Sequence, residues 1–216
     1  MSDAYSPQAA QQAAAAALTP PMSSTSAPPS DAGAPPPVAR KRPLPGERRE
    51  QILRALATLL EQPGAERITT AVLAKHLQVS EAALYRHFAS KAQMFEGLIV
   101  FIEDSLFSLA NQIQSRETDP AQQIARVLAL VLQFAQKNPG MCRVMVGDAL
   151  ILEHERLSAR INQLWDRLES LLRQSHKAMA EARGSLTPTV DAQAGASLAV
   201  SVLLGRLARF VRPGFQ

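Results

Sequence analysis

The sequence predicts an all-α fold, with a head of three short helices built around a helix-turn-helix and a helical body that dimerises. Three observations carry this expectation. From residue 46 onward apolar residues recur at helical spacing, and no stretch shows sustained two-residue alternation. Capping hydroxyls, an Asp-Pro step and Gly/Pro breaks divide that region into segments of helix length. Two of the shortest segments meet at a tight turn, Gln78-Val79, with small and apolar residues where two crossing helices need them.

Taken in order, Glu47–Leu60 places Ile52, Leu53, Leu56, Leu59 and Leu60 on one side, and Pro63-Gly64 stops it. Thr69-Thr70 offers an N-cap hydroxyl for a short helix ending near Leu77, Ser80 another for Glu81–His87, and Ser90 a third for a long helix from Lys91 to about Gln114. In the long helix Phe95, Ile99, Ile102, Leu106, Leu109 and Ile113 form the expected core stripe. Asp119-Pro120 opens the next helix with Asp at the cap and Pro at the first helical position. It runs to Lys137, where Asn138-Pro139-Gly140 breaks it. A short helix is expected near Met141–Leu152. A long one follows over about Glu155–Ala182, with Ile161, Leu164, Trp165, Leu168, Leu171 and Leu172 along one side. After a break from Gly184 to Pro188, the last helix runs from about Thr189 to Val211, before Pro213-Gly214. Its apolar residues lie nearly all round, so it is expected to be buried on every side, partly against a two-fold mate.

Residues 1–39 differ in kind. They are Ala, Pro, Ser, Gln and Thr almost throughout, with too little apolar surface to offset the entropy of ordering them. They lack the basic start and apolar stretch of a signal peptide, so they read as a disordered tail. Of the net charge of +4, residues 1–39 supply −2 and residues 40–49 supply +4. A basic arm beside a folded domain suits a polyanion, although a solvated linker has the same composition. The expected organisation is a tail with a basic end (1–45), a head (46–106, motif 69–88) and a dimerising, partner-binding body (107–216). The one cysteine, Cys142, excludes an intramolecular disulfide and fits a reducing cytoplasm. No apolar run approaches the roughly 20 residues of a bilayer span. The nearest, Ala192–Gly205, reads as a buried helix.

The informative stretch is Thr69 to Phe88. Leu73, Leu77, Val79, Leu84 and Phe88 supply the apolar set around the turn, and Ala74 the small residue at the crossing. The second helix of such a pair lies in the DNA major groove, with Glu81, Ala82, Tyr85 and Arg86 outward and His87 near its end. Thr69, Thr70, Ser80, Tyr85, His87 and Lys91 complete the candidate DNA set. Lys91 also starts a helix, where free N–H groups favour an anion. Only Arg86 can make the two-pronged contact to guanine, so phosphate contacts and DNA shape share the discrimination. The bland alternative is an ordinary helical hairpin. Gln78 occupies a turn position whose left-handed backbone usually takes Gly, at a cost on the order of 1 kcal/mol.

The run from Ile68 to Lys91, ITTAVLAKHLQVSEAALYRHFASK, resembles the DNA-binding domain of the TetR family. MFEGLIVFIEDSL at Met94–Leu106, NPG at Asn138–Gly140 and RINQLWDRLESLLRQ at Arg160–Gln174 resemble its nucleoid-occlusion branch. The resemblance covers roughly residues 46–215. It implies a dimer on palindromic chromosomal sites that also binds the tubulin-like division protein FtsZ and disrupts its polymers over the nucleoid. It implies a cytoplasmic, nucleoid-associated protein. The Ala/Pro tail lies outside the family pattern, which also continues into a further helical segment where this chain ends.

The resemblance also places the division-protein contact around the long helix and its successor. Phe101 lies about 120° from the centre of the core stripe, and Leu130 lies off the side marked by Ile124, Val127, Val131 and Ala135. These two with Lys137 and Asn138 are the candidate partner site. The alternative is that both helix faces are simply buried. None of the four histidines stands at metal-ligand spacing, and no phosphate loop or nucleophile motif is present, so neither a metal, a cofactor nor an enzyme is expected. A ligand-responsive repressor with a pocket among the body helices remains the alternative function.

Overall fold

The computed structural model describes residues 46–62 and 68–212. The tail, most of the basic arm, and the Pro63-Gly64 and Pro213-Gly214 stops lie outside the described residues. Those residues form eight α-helices and one 3-10 turn, with no strand among them: α1 Glu47–Leu60, α2 Thr70–His76, α3 Glu81–Tyr85, α4 Lys91–Arg116, α5 Pro120–Lys137, α6 Pro139–Met145, the turn Asp148–Leu150, α7 Glu155–Ala182 and α8 Pro188–Val211.

The caps read from the sequence are in place. The hydroxyls of Thr69, Ser80 and Ser90 accept from the backbone N–H groups of Val72, Ala83 and Gln93. The Asp119 carboxylate accepts from Ala121 N–H, with Pro120 at the helix start. Each satisfies one of the donors a helix leaves open at its N-terminus.

Three expectations are corrected. The second helix of the turn motif stops at Tyr85 and does not reach His87, because the chain tightens there and His87 N–H returns to Leu84 O at 2.9 Å. Asn138-Pro139-Gly140 does not simply break the chain. Asn138 ends α5 and caps α6, which begins at Pro139 itself. The short helix ends at Met145 and does not continue to Leu152, because Gly147 turns the backbone left-handed (φ 81°) before the 3-10 turn. Gly140 is a contact residue. A Cβ there would stand 2.0 Å from the Ala57 carbonyl oxygen, so only glycine lets α6 lie directly on α1. Arg143 tightens the same junction, pairing with Asp148 at 2.7 Å and donating to Leu60 O at 3.3 Å.

One apolar core runs from head to body. In the head, Ile52, Leu56 and Leu60 pack with Leu73, Leu84 and Phe88. Leu77 and Val79 are half-buried at its edge. The α4 stripe is broader than the sequence suggested. Met94, Leu98, Phe107 and Ala110 are fully buried with Phe95, Ile99, Ile102 and Leu106, whereas Leu109 and Ile113 are only half-buried. α4 passes between several neighbours, packing on α1, α5, α6 and α7, so a one-sided stripe underestimates its burial.

α7 and α8 form the most extensive helix pair. The expectation that α8 is buried on every side does not hold within one chain. Ala192, Ala196, Val200, Leu203 and Leu207 face the core, while Val190, Leu198 and Val202 are 66%, 66% and 56% exposed. By length and composition alone α8 is apolar enough to span a membrane, a test that core helices of soluble proteins also pass.

Candidate nucleic-acid interface

The turn between α2 and α3 is a Schellman motif. Val79 N–H bonds to Ala74 O at 3.0 Å and Gln78 N–H to Lys75 O at 3.1 Å, and Gln78 sits at φ 55°, the one non-glycine with positive φ among the described residues. The same pair of bonds at the end of α7, Ser185 to Ala180 and Gly184 to Glu181, uses a glycine at φ 73°. The left-handed backbone expected at Gln78 is therefore what sets the angle between the two helices. Ala74, 3% exposed, is the small residue at their crossing.

This geometry turns one face of α3 outward. Glu81, Ala82, Tyr85, Arg86 and His87 are exposed, while Leu84 and Phe88 anchor the opposite side. On the outer face the Thr70 hydroxyl donates to the Glu81 carboxylate at 2.6 Å, and the Tyr85 hydroxyl lies 3.5 Å from the Thr70 oxygen. Thr70, Glu81 and Tyr85, from two helices, are thus brought into one hydrogen-bonded group. Thr69 and Ser80 use an oxygen lone pair for capping, which leaves each hydroxyl proton free to donate. The Arg86 guanidinium is exposed and has no ion-pair partner among the described residues.

Two cations are more committed than the sequence suggested. Arg49, read as part of the basic arm, stacks 4.1 Å from the Phe88 ring centroid and donates to His87 O at 3.1 Å. It locks α1 to the segment just after α3. Lys91 pairs with Glu153 of the body. No sequence signal marks that pair, because the partners stand 62 positions apart.

The candidate partner residues are more tied to the core than a bare surface patch. Phe101 and Leu130 are half-buried and pack against it. Asn138 spends its amide N–H on Phe134 O at 2.8 Å. Lys137 is exposed, with no ion-pair partner among the described residues. On another side of the body, an open cleft of about 570 Å³ lies between α6, α7 and α8, lined by Met145, Ile161, Trp165 and Leu204 among others. The Trp165 indole N–H is already used, donating to Met145 O at 3.0 Å.

The model for bacterial regulatory proteins of the tetR family matches residues 52–98, and the SlmA-like model of the tetracyclin repressor-like C-terminal domain matches residues 118–216. The nucleoid occlusion factor SlmA of Vibrio cholerae is 52% identical over 170 residues, covering 78% of this chain and 86% of that protein. The SlmA of a Marinomonas species is 48% identical over 170 residues, covering 79% and 86%. Among solved structures, a TetR-family transcriptional regulator from Bordetella parapertussis superposes with a TM-score of 0.62 over 77% of this chain and 83% of its own, at 16% identity, and so shares the fold.

Proposed function

The chain belongs to the SlmA family of nucleoid occlusion factors, within the TetR family of bacterial regulators, and from that membership we propose that it binds DNA as a dimer and, while bound, captures the division protein FtsZ. The observation that carries the DNA half is the outward face of α3, held rigid by the Schellman turn beneath it. Arg86 reads one base pair. Thr69, Ser80, Tyr85, His87 and Lys91 hold phosphates, Thr70 spends its one hydroxyl proton on Glu81 on the same face, and Ala82 allows close approach to a thymine methyl. Glu81 fixes the Thr70 hydroxyl and leaves the remaining lone pairs of its carboxylate for a cytosine amino group.

The apolar outer face of α8 supports dimerisation. Val190, Leu198 and Val202 recur at helical spacing on the side turned away from the core. A second copy covers such a face in the way this chain's own α7 covers the other. Two heads then reach successive major grooves about 34–36 Å apart. The FtsZ contact is placed at the exposed edges of Phe101 and Leu130, with Lys137 as a cation for a partner carboxylate and Asn138 at the helix junction. Such a protein works in the cytoplasm on the nucleoid.

The test has two parts. Selection from a random-sequence pool must return a two-fold symmetric site. Beads carrying that duplex with the protein must then retain FtsZ, and beads carrying the duplex alone must not. Phe101→Ala should abolish retention while leaving duplex binding intact. Equal loss of both activities, together with the roughly 3–5 kcal/mol destabilisation of a buried Phe, would make Phe101 a packing residue only.

A further inference from the structure

Lys91 is placed above on a DNA phosphate, yet its ammonium already has an anion. It pairs with Glu153, whose side chain is 12% exposed, and lies 5.7 Å from the Phe95 ring centroid. Glu153 belongs to the connection from Gly147 to α7. Little apolar burial holds the outer part of that connection: Ile151 is 77% exposed and Leu152 60%. Beyond it, α7 is fastened to α4 by Arg156–Glu96 and Arg160–Glu103, both at 2.9 Å, and by Arg167 stacked 3.9 Å from the Phe107 centroid. The positions rise along both helices in the same order, so the contacts form a ladder between parallel helices. In three rungs the cation comes from α7. Only the first rung puts it on α4, at the helix end that follows α3.

We infer that Glu153 is an internal stand-in for a DNA phosphate, holding Lys91 in the free protein and giving it up when a backbone phosphate docks. Carboxylate and phosphodiester oxygens are equivalent acceptors for an ammonium, and two anions crowded on one cation repel each other. Docking therefore breaks the first rung of the ladder and frees the outer part of the connection, residues 151–154, while Leu150 and the Arg143–Asp148 pair hold the inner part. DNA affinity is reduced by the strength of the pair, and DNA occupancy is felt at the start of α7. Coupling of this kind is reciprocal, so whatever tightens the connection weakens DNA binding. The inference rests on Lys91 being a phosphate contact.

The experiment is a titration, at fixed salt, of a short duplex selected by the unmodified protein from a random pool. Glu153→Gln should tighten binding by about two- to fivefold, the range of a pair partly open to solvent. Glu155→Gln is the control. It removes the same charge from an exposed side chain with no ion-pair partner among the described residues, and should change binding less. In a Lys91→Ala background the gain from Glu153→Gln should vanish. Backbone amides from 151 to 153 of the unmodified protein should exchange faster with the duplex than without it. The exchange of partners is overturned if Glu153→Gln binds no tighter than Glu155→Gln, if its gain persists without Lys91, or if those amides are unmoved by DNA. Lys91→Ala separates the two layers. If that variant binds as tightly as the unmodified protein, the phosphate assignment itself falls. If it binds more weakly and Glu153→Gln is neutral, only the stand-in does.

Discussion

Leu198→Ser tests the proposed dimer interface most sharply. Leu198 is 66% exposed on the outer face of α8 and contributes little to the protomer's own core. Full burial of a leucine side chain stabilises by about 1.5–3 kcal/mol, so covering the two-thirds left open is worth about 1–2 kcal/mol. A two-fold interface uses the residue twice, which makes about 2–4 kcal/mol per dimer. The dimer dissociation constant should rise by about 30- to 800-fold. Sedimentation equilibrium across a concentration series measures this directly. At concentrations where both proteins are monomeric, melting should differ by no more than about 0.5 kcal/mol, as for a surface change. A variant that dimerises as well as the parent would refute the assignment of this face. So would one that loses stability as a monomer, because Leu198 would then belong to the core.

Other consequences are read from single residues. Gly140→Ala puts a methyl 2.0 Å from the Ala57 carbonyl, backbone against backbone. It should cost at least about 1–3 kcal/mol in urea unfolding, and an unchanged midpoint would mean α1 and α6 do not pack this closely. Gln78→Gly relieves a left-handed side chain and should raise stability by no more than about 0.5 kcal/mol, the steric gain on the order of 1 kcal/mol less the roughly 0.5–1 kcal/mol entropy cost of glycine. A loss would show that the Gln78 side chain has a role the turn does not explain. Burial holds the His176 pKa below its ordinary 6.5, and its Nε2 has no hydrogen-bond partner among the described residues. The neutral ring is the form that suits the fold. Its contribution is full above pH 6.5 and is lost as pH falls through the lower folded value. His176→Gln should flatten that part of the melting-temperature profile, and an identical slope would assign it to other groups.

The helices were legible because their signals are local. Thr69, Ser80, Ser90 and Asp119-Pro120 cap within three residues of themselves, and the α7 bounds Glu155–Ala182 follow from one stripe of apolar residues. The left-handed turn at Gln78 was legible for the same reason. What the sequence hid is what depends on distant partners. Gly140 looks like a breaker until α1 is laid against it. Phe107 and Ala110 look peripheral until α4 has neighbours on several sides. Arg49 reads as a free charge and is instead the clamp on Phe88. Lys91 reads as a phosphate ligand in waiting, and its ammonium is already paired with Glu153, in the connection before α7.

The proposed dimer couples DNA binding to FtsZ binding. The direct measurement is the polymer mass of FtsZ, by sedimentation with GTP, as the protein is titrated in with its selected duplex, with a scrambled duplex, and alone. Polymer mass should fall steeply with the selected duplex, and the protein alone should need a higher concentration for the same loss. The difference should correspond to about 5- to 150-fold in affinity, the usual span of a coupling free energy between two sites. Polymer mass unaffected under all three conditions, or lowered equally whichever duplex is present, would contradict it and leave a DNA-binding regulator without a DNA-dependent hold on FtsZ.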